Sequence, residues 1–125
     1  MKDAYSEYSY NGEKYKLVFN INVMEDIQNE YGTIDAWGKA STVGSGEINI
    51  KAVKYGFIAM TNEGIDIDNA LNGTKRPPIT ARQAGRIMSE LGLDKVGEMI
   101  REIVIKSTPD SKKNMKKTAK ASPKK

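Results

Sequence analysis

A chain of 125 residues has room for one domain with one modest core. It contains no cysteine, hence no disulfides or thiol chemistry, and no histidine, which removes the commonest general base and the best zinc ligand. The net charge of +4 divides unevenly: residues 106–125 hold eight lysines against one aspartate, leaving 12 basic and 15 acidic side chains in the other 105. Most hydrolase and metalloenzyme designs are thereby excluded, and the chain reads as non-enzymatic, a mildly acidic body with a basic tail.

The opening MKDAYSEYS lacks the apolar core of a signal peptide, and no uninterrupted apolar run approaches a membrane span. A cytoplasmic protein is expected. Asn11-Gly12 is the strongest short hairpin signal, lying between Tyr5–Tyr10 and Lys14–Phe19. It predicts an N-terminal β-hairpin with a type I′ turn or a close relative. Tyr15, Leu17 and Phe19 alternate with Lys16 and Val18, the period of a half-buried strand. Two strands alone are marginal in water, so the hairpin must lean on helices or on another subunit, and a homo-oligomer is expected.

The period then changes. Val23, Met24, Ile27 and Tyr31 share one helical face, and the polar residues from Glu25 to Glu30 fall largely on the other. Either Asn22, forming a capping box with Glu25, or Asn20 serves as the cap, and Gly32 is the expected stop. A short helical segment follows over Thr33–Ala40 with the sole tryptophan, Trp37, and then a loop, STVGSG. Ile50, Val53, Phe57 and Met60 mark the most apolar helix and the centre of the core. Gly56 within it costs about 1 kcal/mol relative to alanine, which points to a close helix–helix approach.

Gly64, Gly73, Pro77 and Pro78 predict a long loop from Asn62 to Pro78. Thr80 with Gln83 reads as a capping box opening a helix whose stripe is Ala84, Ile87, Met88 and Leu91, closed by Gly92. Asp94 is read as the cap of a last helix carrying Val96, Met99, Ile100, Ile103 and Val104, reached by a two-residue link. The expected fold is α+β: a hairpin packed on a small bundle of about four or five helices over residues 1–106. Residues 107–125 have Met115 as their only large apolar side chain and are expected to be a disordered basic tail.

Three motifs bear on function. Asp66-Ile67-Asp68-Asn69 resembles the start of a calcium loop, but Leu71 and Pro77 stand where glycine and glutamate are required, so a solvated loop with Asx turns is preferred. Thr80–Ile103 imitates a helix-turn-helix, yet its second helix lacks a polar recognition face, and Glu90, Asp94, Glu98 and Glu102 oppose phosphate. The candidate partner-binding residues are the hairpin tyrosines Tyr5, Tyr8 and Tyr10, with Tyr15, and the lysine doublets Lys112, Lys113, Lys116 and Lys117. The tyrosines can offer a stacking platform for bases or simply pack on a helix. The tail, ending in Ser122-Pro123-Lys124-Lys125, can hold nucleic acid non-specifically or serve solubility alone. No catalytic, cofactor or metal constellation is read.

The order of elements resembles the tail assembly chaperones of long-tailed bacteriophages and prophages over about residues 10–108. The matching phrases are the KYKLxF strand running into a glycine-stopped helix (Lys14–Gly32), a short segment (Ile34–Ala40), an apolar central helix (Glu47–Met60) and an ITxxxAGxIMxELG helix (Ile79–Gly92). The final helix, Asp94–Ile105, leads into a charged end. The resemblance implies a non-enzymatic cytoplasmic protein that binds the tape measure protein and brings tail tube protein to it during virion morphogenesis. It also implies a longer form made by ribosomal frameshifting. Two other classes compete: a small nucleic-acid-binding accessory protein that uses the tail, and a structural tail or connector component retained in the particle.

Overall fold

The computed structural model describes residues 4–41 and 49–107. Two antiparallel strands, β1 (Ala4–Tyr10) and β2 (Glu13–Phe19), precede five helices: α1 (Ile21–Tyr31), α2 (Ile34–Ser41), α3 (Ile50–Asn72), α4 (Ala81–Leu91) and α5 (Leu93–Ser107). The fold is α+β, as the residue pattern indicates. The basic tail, with Lys112, Lys113, Lys116 and Lys117, lies outside the described residues, as do the first three residues and 42–48.

Tyr10 pairs with Glu13, leaving a two-residue turn in which Asn11 and Gly12 both have positive φ, 56° and 81°. That is the requirement of a type I′ turn. In register, Tyr8 faces Tyr15, Ser6 faces Leu17 and Ala4 faces Phe19 on one side of the sheet. Leu17 and Phe19 are fully buried there; Val18, on the opposite face, is buried too, so the end of β2 is enclosed on both sides rather than half-buried.

Asn20, not Asn22, caps α1: its side chain accepts from the Val23 N–H at 3.2 Å. Asn22 instead donates to the Glu63 carboxylate across on α3, to which the Asn20 side-chain amide, besides capping, donates as well. Gly32 closes the helix at φ 89°, its N–H bonded to the Gln28 carbonyl. Thr33 accepts from Ala36 N–H at the start of α2, which brings Trp37 into the core with its indole N–H donating to the Ala52 carbonyl at 2.9 Å. Gly56 explains the fit. A Cβ there would overlap the Trp37 ring, so the close approach inferred from Gly56 is between α3 and α2.

The expected loop over Asn62–Pro78 is mostly helix, because α3 runs 23 residues to Asn72. Gly64 reads as a breaker, yet it is buried where the helix meets the Lys16 backbone, and a Cβ would overlap the Lys16 carbonyl oxygen. Thr61 and Ile65 continue the buried side, while Asn62, Glu63, Asp66 and Asn69 line the more accessible one. Gly73, in the left-handed conformation, ends the helix. The true loop is residues 73–80, and two asparagines seven residues apart on α3 hold it. Asn69 bonds both the N–H and the C=O of Arg76, and Asn62 does the same for Ile79.

The Thr80–Gln83 capping box is present in both directions. Only Gly92 separates α4 from α5; its carbonyl accepts the Val96 N–H, so Asp94 sits inside the first turn of α5 instead of capping it. A carboxylate there still complements the helix dipole. α5 ends at Ser107, whose side chain is buried. The long α3 packs against β2 and all four other helices, placing Phe57 and Met60 at the core's centre.

Candidate functional site

The hairpin tyrosines do not form one platform. Tyr8 is 5 % exposed and its hydroxyl shares a 2.9 Å hydrogen bond with Thr61, which removes it as a surface contact. Burial holds its hydroxyl far above the usual phenol range, only partly countered by the bond to Thr61. Its ring stacks on its cross-strand partner Tyr15 at 5.1 Å and lies tilted against Phe57 at 5.3 Å. The Arg76 guanidinium covers Tyr15 from outside at 4.6 Å. A cation and three rings thus run in series from surface to core, each contact of the kind worth about 0.5–1.5 kcal/mol. Tyr10 is half-buried beside Gln83, Arg86 and Ile87 of α4. Tyr5 stands on the other face of the sheet, half exposed, with the Lys16 ammonium 5.0 Å from its ring centre. Of the three, Tyr5 is the most exposed.

A groove of about 430 Å³, not anticipated from the sequence, runs along the accessible side of α3. Ile58, Ala59 and Ile65 contribute apolar floor, with Tyr55 at one end and Pro78 of the loop at the other side. Its rim is acidic: Asp26 from α1, and Glu63 and Asp66 from α3. The Tyr55 hydroxyl donates to the Asp26 backbone carbonyl at 2.9 Å, and its ring meets Tyr31 edge-on. Partial burial raises the Tyr55 hydroxyl's pKa, and the charges of Asp26 and Glu30 raise it further, a mark of negative potential at this end.

The groove's cation, Arg76, is committed elsewhere. It bonds the Glu13 carboxylate at 2.8 Å and the Lys14 carbonyl while covering Tyr15. Among the described residues no lysine or arginine forms an ion pair with Asp26, Glu63 or Asp66. The signal was present in the sequence. Ile58, Asn62, Ile65 and Asn69 recur at helical spacing, but reading a loop from Asn62 onward hid the continuity of that face.

The Asp66–Asn69 motif lies within α3 and so is neither a calcium loop nor a solvated loop. Asp68 pairs with Lys16 at 3.2 Å, and Asn69 holds the following loop. Among the described residues no three acidic side chains converge as metal ligands, and no helix is long and apolar enough to cross a membrane.

Leu71 is the other exposed feature of note. It lies eleven residues after Met60 and eighteen after Val53, spacings that return a helix to the same face. Yet it is 75 % exposed, because the last turn of α3 outruns the body that covers the earlier ones. Comparison with family models, curated proteins and solved structures returns no match for this chain.

Proposed function

We propose that the chain is a tail assembly chaperone of a long-tailed bacteriophage, holding the tape measure protein soluble and bringing tail tube protein to it in the host cytoplasm. The observation that carries this reading is the order of elements with its local phrases, from the KYKLVF strand to the ITARQAGRIMSELG helix. The physical form suits the task. A small helical domain with an open groove along its longest helix, and an uncovered leucine at the end of that helix, can shelter the apolar face of a partner helix. No group assembled for covalent chemistry is required of it.

Co-expression tests the reading. The cognate tape measure protein should stay soluble with this chain and precipitate without it, and the effect should survive moderate salt because the contact is mainly apolar. A tape measure protein equally insoluble in both cases, with no overlapping frame downstream, overturns it. Detection of the chain in purified particles would instead favour a structural component. Binding to DNA that falls steeply with salt and disappears on deleting residues 107–125 would favour the nucleic-acid reading.

A further inference from the structure

The hairpin has one covered edge and one open edge. Tyr10–Glu13 closes the turn, so Tyr8–Tyr15 and Ser6–Leu17 are hydrogen-bonded pairs. The main-chain groups of Lys14 and Lys16 therefore turn outward from β2, and those of Tyr5, Glu7 and Ser9 turn outward from β1. On the β2 side both outward carbonyls are met: Arg76 donates to that of Lys14 at 3.1 Å, and Gly64 of α3 stands against that of Lys16. On the β1 side no described residue bonds the outward N–H and C=O groups of Tyr5, Glu7 or Ser9, and all three residues are exposed. β1 also lacks the features that keep an edge single. Its register is unbroken by a bulge, and AYSEYSY holds no lysine, no proline and a single charge.

We infer that the outer edge of β1 pairs antiparallel with β1 of a second copy of this chain, giving a four-stranded sheet in the order β2-β1-β1-β2. Closure selects a second copy. The outward groups of an antiparallel strand are self-complementary about a two-fold axis, and the product has no free edge because each β2 is already covered, so assembly stops at two. Charge sets the register. With the axis on Ser6, Tyr5 of each strand stands opposite Glu7 of the other, which brings that carboxylate toward the Lys16 ammonium, 5.0 Å from the Tyr5 ring centre. Glu7 has no ion pair of its own among the described residues. An axis on Glu7 would instead oppose two carboxylates. At the chosen axis the small Ser6 side chains meet, which suits the close approach of a non-hydrogen-bonded pair. The pairing does not rest on the chaperone reading.

The absence of cysteine lets Ser6→Cys report the pairing directly in the full chain. A non-hydrogen-bonded antiparallel pair sets its Cα atoms about 4.5 Å apart, within disulfide range. Mild oxidation should therefore give a covalent dimer, whereas Glu7→Cys should cross-link far more slowly. In the unsubstituted protein, sedimentation should show a monomer–dimer equilibrium, and amide exchange at Tyr5 and Glu7 should slow as concentration rises through the micromolar range. Glu7→Pro removes an outward N–H but no bond within the hairpin, and should weaken dimerisation about tenfold or more. Sedimentation and exchange of the unsubstituted chain report even if Glu7→Pro fails to fold. A monomer at every concentration overturns the proposal. Protection of Tyr5 and Glu7 that is independent of concentration does so too, by assigning the edge to another part of the same chain. Cross-linking of Glu7→Cys ahead of Ser6→Cys, or a dimer unmoved by a folded Glu7→Pro, would equally place the contact elsewhere. No tape measure protein is present in these experiments, so their failure leaves the co-expression result untouched.

Discussion

Gly64 of α3 lies directly against the Lys16 backbone carbonyl of β2, so the longest helix and the second strand meet backbone to backbone. The contact is reinforced from the side by the Lys16–Asp68 ion pair at 3.2 Å. It sets the height of the hairpin above the helix, and with it the depth at which Tyr8 reaches Thr61 and Phe57.

Gly64→Ala should therefore destabilise the domain although it raises helix propensity. The propensity gain is about 1 kcal/mol, whereas forcing a methyl against backbone that cannot rotate aside costs about 1–3 kcal/mol or more. Gly97→Ala, in α5 with nothing within 4 Å of the added Cβ, has the gain without the clash. A thermal melt should move down for the first variant and up for the second, by about 4–8 °C per kcal/mol. A stabilised Gly64→Ala would refute the close approach.

Gly56→Ala makes the same point at α2. Its Cβ would overlap the Trp37 ring, which is buried and tied to Ala52 through its indole N–H. Overpacking there should cost about 1–3 kcal/mol. Since Trp37 is the only tryptophan, its emission should shift to the red as the ring is displaced toward water. Unchanged emission would place the ring elsewhere.

These two glycines show what was legible in the sequence. Turns and caps were, because their signals are local: Asn11-Gly12, Gly32, Thr80 with Gln83, and Gly92 each act within one turn of chain. Gly56 inside an apolar stripe was correctly read as a close approach. Gly64, next to polar residues, was read as a break, since its reason lies in Lys16, forty-eight positions away. The groove was lost with it, as its floor and rim share one helical face only if α3 continues. Tyr8 was left between two readings for a related reason: a strand's tyrosine is an interface residue or a core residue according to what packs on it, which the strand alone does not state.

The loop ties can be tested separately. Asn69→Ala removes the side chain that bonds both Arg76 backbone groups and Thr74. Each lost bond is worth about 0.5–1.5 kcal/mol, and the partly exposed loop can turn to water, so a total near 1–2 kcal/mol is expected. Amide exchange at Arg76 should accelerate well beyond that of the α3 core. Equal protection in both proteins would mean that the asparagine holds nothing.

Alkaline pH should weaken the fold through Tyr8. Burial raises its pKa above the unfolded value of about 10, and the neighbouring Tyr15 adds to the rise, with Thr61 opposing it. A raised folded pKa means full stability below about pH 10, lost as pH climbs, because the unfolded chain releases a proton that the folded chain retains. Tyr31 and Tyr55 are shifted the same way. Tyr8→Phe should cost about 1 kcal/mol at neutral pH through the lost hydrogen bond, yet lose less above about pH 10. Denaturant titrations at about pH 8 and pH 11 should show the gap between the two proteins narrowing. A constant gap would mean Tyr8 titrates like a free phenol.

The last prediction separates packing from partner contact on a single helix. Phe57 and Leu71 both belong to α3, but Phe57 is fully buried against Tyr8 while Leu71 is 75 % exposed beyond the packed turns. Phe57→Ala should cost about 3–5 kcal/mol, enough to unfold a domain whose whole stability is about 5–15 kcal/mol or leave it marginal. Leu71→Ser removes almost no native contact, and surface changes of this kind stay within about 0.5 kcal/mol, so its melt should match that of the parent. If the chaperone reading holds and α3 is the contact helix, Leu71→Ser should nevertheless reduce the soluble yield of co-expressed tape measure protein. A destabilised Leu71→Ser would show that the end of α3 is packed. An unperturbed Leu71→Ser with undiminished yield would move the contact away from this end of the helix, leaving the groove and Tyr5 as the surfaces to test next.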